Sequence, residues 1–144
     1  MAGVSADADT EMSARVMDGF NAVLGTEFIE ASGDRVLLRC QIKPHLHQPY
    51  GIVHGGVYCS LAETAASVGA ALWFGERGNV VGVANHTNFI RATREGVLEI
   101  VAVPVQRGRT QQLWQVDITD DQSRLVARGE VRLANITTAE HIGR

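Results

Sequence analysis

The sequence predicts an α+β fold in which a long antiparallel sheet wraps around one central α-helix. Three observations lead there. The stretch Val57 to Phe74 is small and apolar apart from scattered hydroxyls and a single charge, Glu63, and reads as a buried helix. The segments around it alternate apolar with polar side chains, the period of a strand with one buried face. The coarse order is one short helix, two strands, the long helix and four strands. Neither helix nor sheet finds enough apolar partners without the other.

The elements follow in order. With 144 residues and a net charge of −3, the chain is long enough for one domain with a real core, expected over residues 11–144 behind a disordered, polar tail at 1–10. Glu11 to Leu24 carries Met12, Val16, Met17, Phe20, Val23 and Leu24 at helical spacing and ends at Gly25. Phe28 to Ala31, the turn Ser32-Gly33-Asp34, and Arg35 to Lys43 read as a hairpin. In its second arm Val36, Leu38, Cys40 and Ile42 share the inner face. Pro44 to Gly51 is a loop by its prolines and glycine. After the central helix come strands at Val80 to Arg91, Val97 to Gln106, Gln111 to Thr119 and Arg124 to Ile136. In the last of these Ala127 and Gly129 are small enough to let a helix lie close.

Composition narrows the partners. No basic run is present, which argues against nucleic acid. The first ten residues hold no apolar signal region, and Glu63 interrupts the best apolar run, so no membrane association and a cytoplasmic location are expected. Cys40 and Cys59 lack a metal-like spacing and read as buried reduced thiols. His45, His47, His54 and His86 are joined by no acidic or thiol ligand at a useful spacing, so no metal site is expected. Ser60, Thr64 and Ser67 lie outside any Gly-x-Ser-x-Gly turn and read as hydroxyls bonded to the preceding helical turn.

Glu63 is the residue that asks for an explanation. Its neighbours one turn away are Cys59, Ser60, Ala66 and Ser67, with no cation among them. A carboxylate buried there would be costly unless its basicity or nucleophilicity is used. The alternatives are a salt bridge to an arginine from elsewhere or an exposed polar stripe. Just upstream stands His54-Gly55-Gly56, where the first amides of the helix lack internal partners and can hold negative charge developing on a carbonyl oxygen. Gly55 and Glu63 lie roughly 12 Å apart along a helix at about 1.5 Å per residue, so one reacting carbonyl cannot touch both in a single chain. Two such helices paired antiparallel about a two-fold axis would bring the amide end of one beside the Glu63 of the other.

These residues together resemble a known family. Gln48-Pro49-x-Gly51-x-x-His54-Gly55-Gly56, then Glu63 and Ser67, followed by Val81-Gly82, Asn88-Phe89-x-Arg91 and Gly108-Arg109, is similar to the hotdog-fold acyl-CoA thioesterases. The nearest branch is the phenylacetate-pathway-like type, with 4-hydroxybenzoyl-CoA and 1,4-dihydroxy-2-naphthoyl-CoA thioesterases. The resemblance spans about Phe28 to Asn135. It implies hydrolysis of an aromatic or medium- to long-chain acyl-CoA to free acid and CoA. CoA is then part of the substrate, and no cofactor is needed. It implies Glu63 as nucleophile or general base, the Gly55 amide polarising the thioester carbonyl, and His54 shaping that donor end. Gln48 would sit near the thioester from the subunit opposite Glu63, and Ser67 would bind the carboxylate or the water. Val81, Gly82 and Phe89 would border the pantetheine channel, with Arg91 and Arg109 at the CoA phosphates. The assembly implied is a homodimer with shared active sites, built further into a homotetramer.

Phe89 departs from the naphthoyl-CoA type, which can carry histidine there, and an apolar wall suits a bulky aromatic or fatty acyl group equally. The arginines have a plainer reading as turn and surface charges. The alternative function is a non-catalytic acyl-CoA-binding hotdog protein, which would keep the groove without needing Glu63. A hotdog hydratase would use a different Asp/His arrangement, which is not present.

Overall fold

The computed structural model describes residues 16–137. Within them a short helix α1 (Phe20–Leu24) leads through Gly25 into strands β1 (Thr26–Ala31) and β2 (Val36–Gln41). A 3-10 turn (Pro44–Leu46) and a loop follow, then the long helix α2 (Gly55–Phe74) and a second 3-10 turn (Gly75–Arg77). Strands β3 (Asn79–Phe89), β4 (Val97–Arg107), β5 (Gln111–Thr119) and β6 (Leu125–Ile136) complete the chain. All strand pairs are antiparallel, in the order β1-β2-β4-β5-β6-β3. The strand after the helix therefore crosses the whole sheet to pair with the last one.

The α+β expectation holds, and α2 touches all six strands. Alternation builds the face that receives it. Val36, Leu38 and Cys40 of β2, Leu98, Ile100 and Ala102 of β4, Trp114, Val116 and Ile118 of β5, and Ala127, Val131 and Leu133 of β6 are buried. On α2 the buried positions include Leu61, Ala62, Ala65 and Ala66. Close approach follows from small residues on both sides: a methyl group built on Gly129 would stand 3.2 Å from the Ala62 Cβ, and one on Gly69 would stand 2.5 Å from the Trp114 ring. Trp114 is fully buried, and its Nε1–H donates to Gln112 Oε1 at 2.9 Å. The Gln112 amide donates in turn to Asn135 Oδ1 and Ala70 O.

Several boundaries move. The expected Glu11–Leu24 helix is broken by a turn at Met17 to Gly19: Val16 before it is helical, and after it comes the α-helix Phe20–Leu24, capped by Gly25 in the left-handed region; positions 11–15 and the tail at 1–10 lie outside the described residues. The hairpin begins at Thr26 and its second arm ends at Gln41. The expected loop holds a 3-10 turn, because Pro44 supplies its fixed φ at the first position. The third strand stops at Phe89, where the Ile90 and Arg91 N–H groups both turn to Val126 O. Length and composition alone would let Gly55–Arg77 cross a membrane, contrary to the reading that Glu63 forbids it; half of its apolar window is nevertheless buried inside this fold.

Candidate active site

The N-terminus of α2 is held open as a donor. His54 is its N-cap, and the His54 Nδ1 accepts the Gly56 N–H at 2.8 Å. That bond fixes Nδ1 as the acceptor of the imidazole and uses one of the orphan amides. The Gly55 N–H has no hydrogen-bond partner among the described residues, which leaves it free at the positive end of a twenty-residue helix. Gly55 is glycine for a reason the sequence did not show. A methyl group there would stand 2.3 Å from the Phe89 ring, so the missing Cβ is used by this chain's own phenylalanine. Phe89 also lies against Tyr58, with ring centroids 6.0 Å apart.

Gln48 is delivered to the same place by its loop. Its N–H bonds to Ile52 O and its carbonyl accepts from Gly51 N–H, while its side-chain oxygen accepts from the Tyr50 N–H. Arg94 ties that loop down by donating to the Tyr50 and Gly51 carbonyls. Gln48, Gly55, Tyr58, Phe89 and Arg91 thus share one groove of about 210 Å3.

Glu63 stands elsewhere, and its expected burial is corrected. It is exposed in the single chain, on a stripe of α2 that runs Gly56, Ser60, Glu63 and Ser67, the two serines half-buried. The stripe follows from spacing: three- and four-residue steps place these side chains on one face while the alanines and leucine between them fill the core. Glu63, Ser67, Ser60, Thr64, Phe20 and Val80 line a second groove of about 480 Å3. No cation pairs with Glu63 among the described residues, so the salt-bridge alternative does not apply to them. Its carboxylate lies over β3, where a methyl group on Gly82 would meet Glu63 Oε1 at 3.2 Å. One further contact was missed: Asn21 of α1 accepts the Thr64 hydroxyl at 2.9 Å and ties the short helix to this groove.

The remaining site residues divide by end. Gly82 lies beside Glu63 and Val80 lines its groove, Phe89 and Arg91 line the donor-end groove, and Val81, between Val80 and Gly82 on β3, lines neither. Arg91 follows the end of β3 that pairs with Ala127, whereas Arg109 sits in the β4–β5 turn, whose Gly108 and Arg109 carbonyls accept the Asn135 amide. The two arginines therefore stand at opposite ends of the sheet. Both are exposed, and neither guanidinium has a partner among the described residues. Arg107, by contrast, is structural: it bonds Gly33 O and Asp34 and lies 5.4 Å from the Trp73 ring centroid.

The other candidates carry ordinary roles. His45 Nε2 meets Val23 O at 2.8 Å and His47 Nε2 meets Arg94 O at 2.7 Å; among the described residues no three His, Cys, Asp or Glu side chains gather as metal ligands do. Ser60 donates to Gly56 O within its helix. Cys40 is buried and its thiol is pushed up to about 11, by burial first and against the nearby Lys43; Cys59 is only half-buried, contrary to expectation.

One long apolar helix wrapped by an antiparallel sheet is the architecture of the hotdog thioester hydrolases. The chain belongs to the thioesterase superfamily, whose family model matches residues 50–127. It is 48% identical over 120 residues to a Mycobacterium tuberculosis protein provisionally named an esterase, covering 81% of this chain and 86% of that one. The solved structure of that protein superposes with a TM-score of 0.81 at 45% identity, covering 84% of this chain and 98% of that chain. A Haemophilus influenzae thioesterase structure gives a TM-score of 0.84 at 28% identity over 97% of this chain and 96% of that one. The 1,4-dihydroxy-2-naphthoyl-CoA hydrolase of Listeria monocytogenes is 28% identical over 116 residues, covering 81% of this chain and 94% of that one.

Proposed function

We propose that this protein hydrolyses acyl-CoA thioesters in the cytoplasm, at two equivalent sites shared across a homodimer. In each site the Gly55 amide of one protomer polarises the thioester carbonyl, and Gln48 of that protomer stands near the attacking water. Glu63 of the other protomer attacks the carbonyl carbon or takes a proton from that water, with Ser67 holding the carboxylate or the water. CoA leaves as the thiol and the acyl group as the free acid.

The observation that carries this reading is the division of labour on α2. The free amide opens into one groove and the unpaired carboxylate into another, so neither groove is complete within one chain. The outer strand supports the pairing. β3 is eleven residues long, lies at the sheet edge, and exposes Val83, Phe89 and the following Ile90, an edge that a second copy would cover. An antiparallel partner would also bring Arg91 of one chain towards Arg109 of the other, where both could meet CoA phosphates. A dimer of such dimers would cover the exposed Val103 and Val105 of β4.

Mixed dimers test the sharing. Glu63→Ala and Gln48→Ala homodimers should each lose most thiol release from an acyl-CoA panel. Dimers carrying one copy of each variant should recover activity, because one site then keeps an intact Glu63 and an intact Gln48. Mixed dimers as inactive as their parents would place both groups in one chain. Full activity of the Glu63→Ala homodimer would remove Glu63 from the mechanism, and a wild type that binds acyl-CoAs but cleaves none of the panel would leave a non-catalytic acyl-CoA-binding role.

A further inference from the structure

The short helix α1 leaves one apolar ring with little protein to pack against. Phe20 and Leu24 are four positions apart and so share one side of α1. Leu24 reaches the core and is 2% exposed, whereas Phe20 is 63% exposed and lines the groove that holds Glu63. The helix is nevertheless fastened in place. The Asn21 side chain accepts the Thr64 hydroxyl at 2.9 Å and donates to Val16 O at 2.8 Å, while its carbonyl accepts the Gly25 N–H. Thr64 follows Glu63 on α2, so one hydrogen bond ties the wall that carries Phe20 to the turn that carries the acid.

The groove divides into a reacting end and an apolar run. Thr64 spends its hydroxyl on Asn21, and the Ser60 hydroxyl donates to Gly56 O. Among the described residues, the lining polar groups left for a ligand are those of Glu63 and Ser67. The rest of the lining is Val16, Phe20, Val68, Ala71 and Val80. Ala71 stands eight positions after Glu63, roughly 12 Å along the helix at about 1.5 Å per residue. A run of that length with no unspent polar group beyond Ser67, in a groove of about 480 Å3, fits an extended hydrocarbon chain better than a single ring.

We propose that the acyl chain of the thioester lies in this groove, running from Glu63 towards Ala71 beneath Phe20, and that Phe20 sets the chain length the enzyme accepts. Asn21 is a positioning residue that acts through Phe20. The inference rests on the thioesterase reading above and adds the acyl class, an unbranched hydrocarbon chain. Contact with the chain removes apolar surface of both partners from water. A methylene that fits under the ring, or fails to, then changes kcat/KM by about tenfold.

The test is thiol-release kinetics on unbranched acyl-CoAs from acetyl to hexadecanoyl, using wild type, Phe20→Ala, Phe20→Trp, Asn21→Ala and Thr64→Val. Circular dichroism and gel filtration follow folding and assembly. The wild-type kcat/KM should rise with chain length to an optimum and then fall. Phe20→Ala should move that optimum to longer chains and Phe20→Trp to shorter ones, each changing kcat/KM about tenfold at the wild-type limit. Asn21→Ala and Thr64→Val should both flatten the profile, as expected of two ways to break one hydrogen bond. Profiles left at the wild-type shape by those two variants would remove the positioning role of Asn21. A wild type indifferent to length, or an optimum unmoved in both Phe20 variants, overturns the assignment. A loss equal at every length, with dissociation in gel filtration, also overturns it and gives Phe20 to a contact between copies. If the wild type cleaves no thioester at all, the catalytic reading fails separately. Calorimetric binding of free octanoate, dodecanoate and hexadecanoate then decides the groove. Affinities that depend on length and shift in Phe20→Ala would support it, and absent binding or unshifted affinities would overturn it.

Discussion

The Glu63 carboxylate rests on the backbone of Gly82, close enough that a methyl group on that glycine would stand 3.2 Å from Oε1. The strand is irregular there: its register with β6 shifts between Gly82 and Ala84. An unpaired acid is thus seated against bare backbone at a bulge, a common way to aim a functional side chain.

Gly82→Val should displace the carboxylate while sparing the core, because the atom it strikes ends a flexible, exposed side chain. We expect kcat to fall by roughly 10- to 100-fold, with the melting temperature changed little, since misplacing a reacting group by about 1 Å costs that much. Thiol-release kinetics alongside thermal unfolding read both quantities. An unaltered kcat would mean that the seat on Gly82 does not aim Glu63.

The two kinds of polar contact at the proposed site should separate in steady-state kinetics. Gln48→Ala is expected to lower kcat by about 10- to 100-fold with a modest change in KM, as for a group acting near the transition state. Arg109→Ala is expected to raise KM several-fold at nearly constant kcat, and added salt should raise the wild-type KM towards it. Equal loss in both parameters for Arg109→Ala would argue against a phosphate contact.

Packing between α2 and β5 gives a stability prediction. Gly69→Ala would push a methyl group to 2.5 Å from the Trp114 ring, which has no exposed side to retreat to. Overpacking of this kind costs about 1–3 kcal/mol. Gln112→Leu should cost a similar amount, about 1–3 kcal/mol, by orphaning the buried Trp114 Nε1–H. Denaturant melts with unchanged m-values would establish that both effects are on stability.

Acid sensitivity should appear at the β5–β6 turn. The Arg124 guanidinium holds the Asp120 carboxyl below its ordinary value, helped by the Gln122 and Arg124 N–H groups and opposed by desolvation. A carboxyl whose folded value lies below its unfolded one stabilises the fold above the unfolded value. That contribution is lost as pH falls through the folded one, so the window lies below about pH 4. The melting temperature of Asp120→Asn should therefore lie below that of the wild type near neutrality, and the gap should narrow in acid. A gap constant from neutral pH to pH 3 (about one unit below the ordinary aspartate value) would remove the linkage.

Much of the fold is legible locally. The β5 strand falls at Gln111–Thr119 as its alternation predicts, and β4 and β6 shift by a single residue at one end. Periodicity carries that information because burial on one face repeats every two residues. The α1 region is read less well, since a short amphipathic run draws its stability from what it packs against and little from its own sequence.

The site is legible in parts. The free amide behind a histidine cap and the unpaired acid two turns on are both set by the order of residues in one helix, and so is the rule that no single carbonyl reaches both. Which way Glu63 faces is a different matter. Spacing puts Gly56, Ser60, Glu63 and Ser67 on one stripe of α2, but only the path of the sheet leaves Glu63 exposed on it with Ser60 and Ser67 half-buried. The same holds for Phe89 closing on Gly55, and for β3 reaching the far edge beside β6. Sequence alone determined the chemistry available and its spacing along one helix. Tertiary structure decided exposure and company, because those depend on pairings between residues far apart in the chain, and local periodicity holds no record of them.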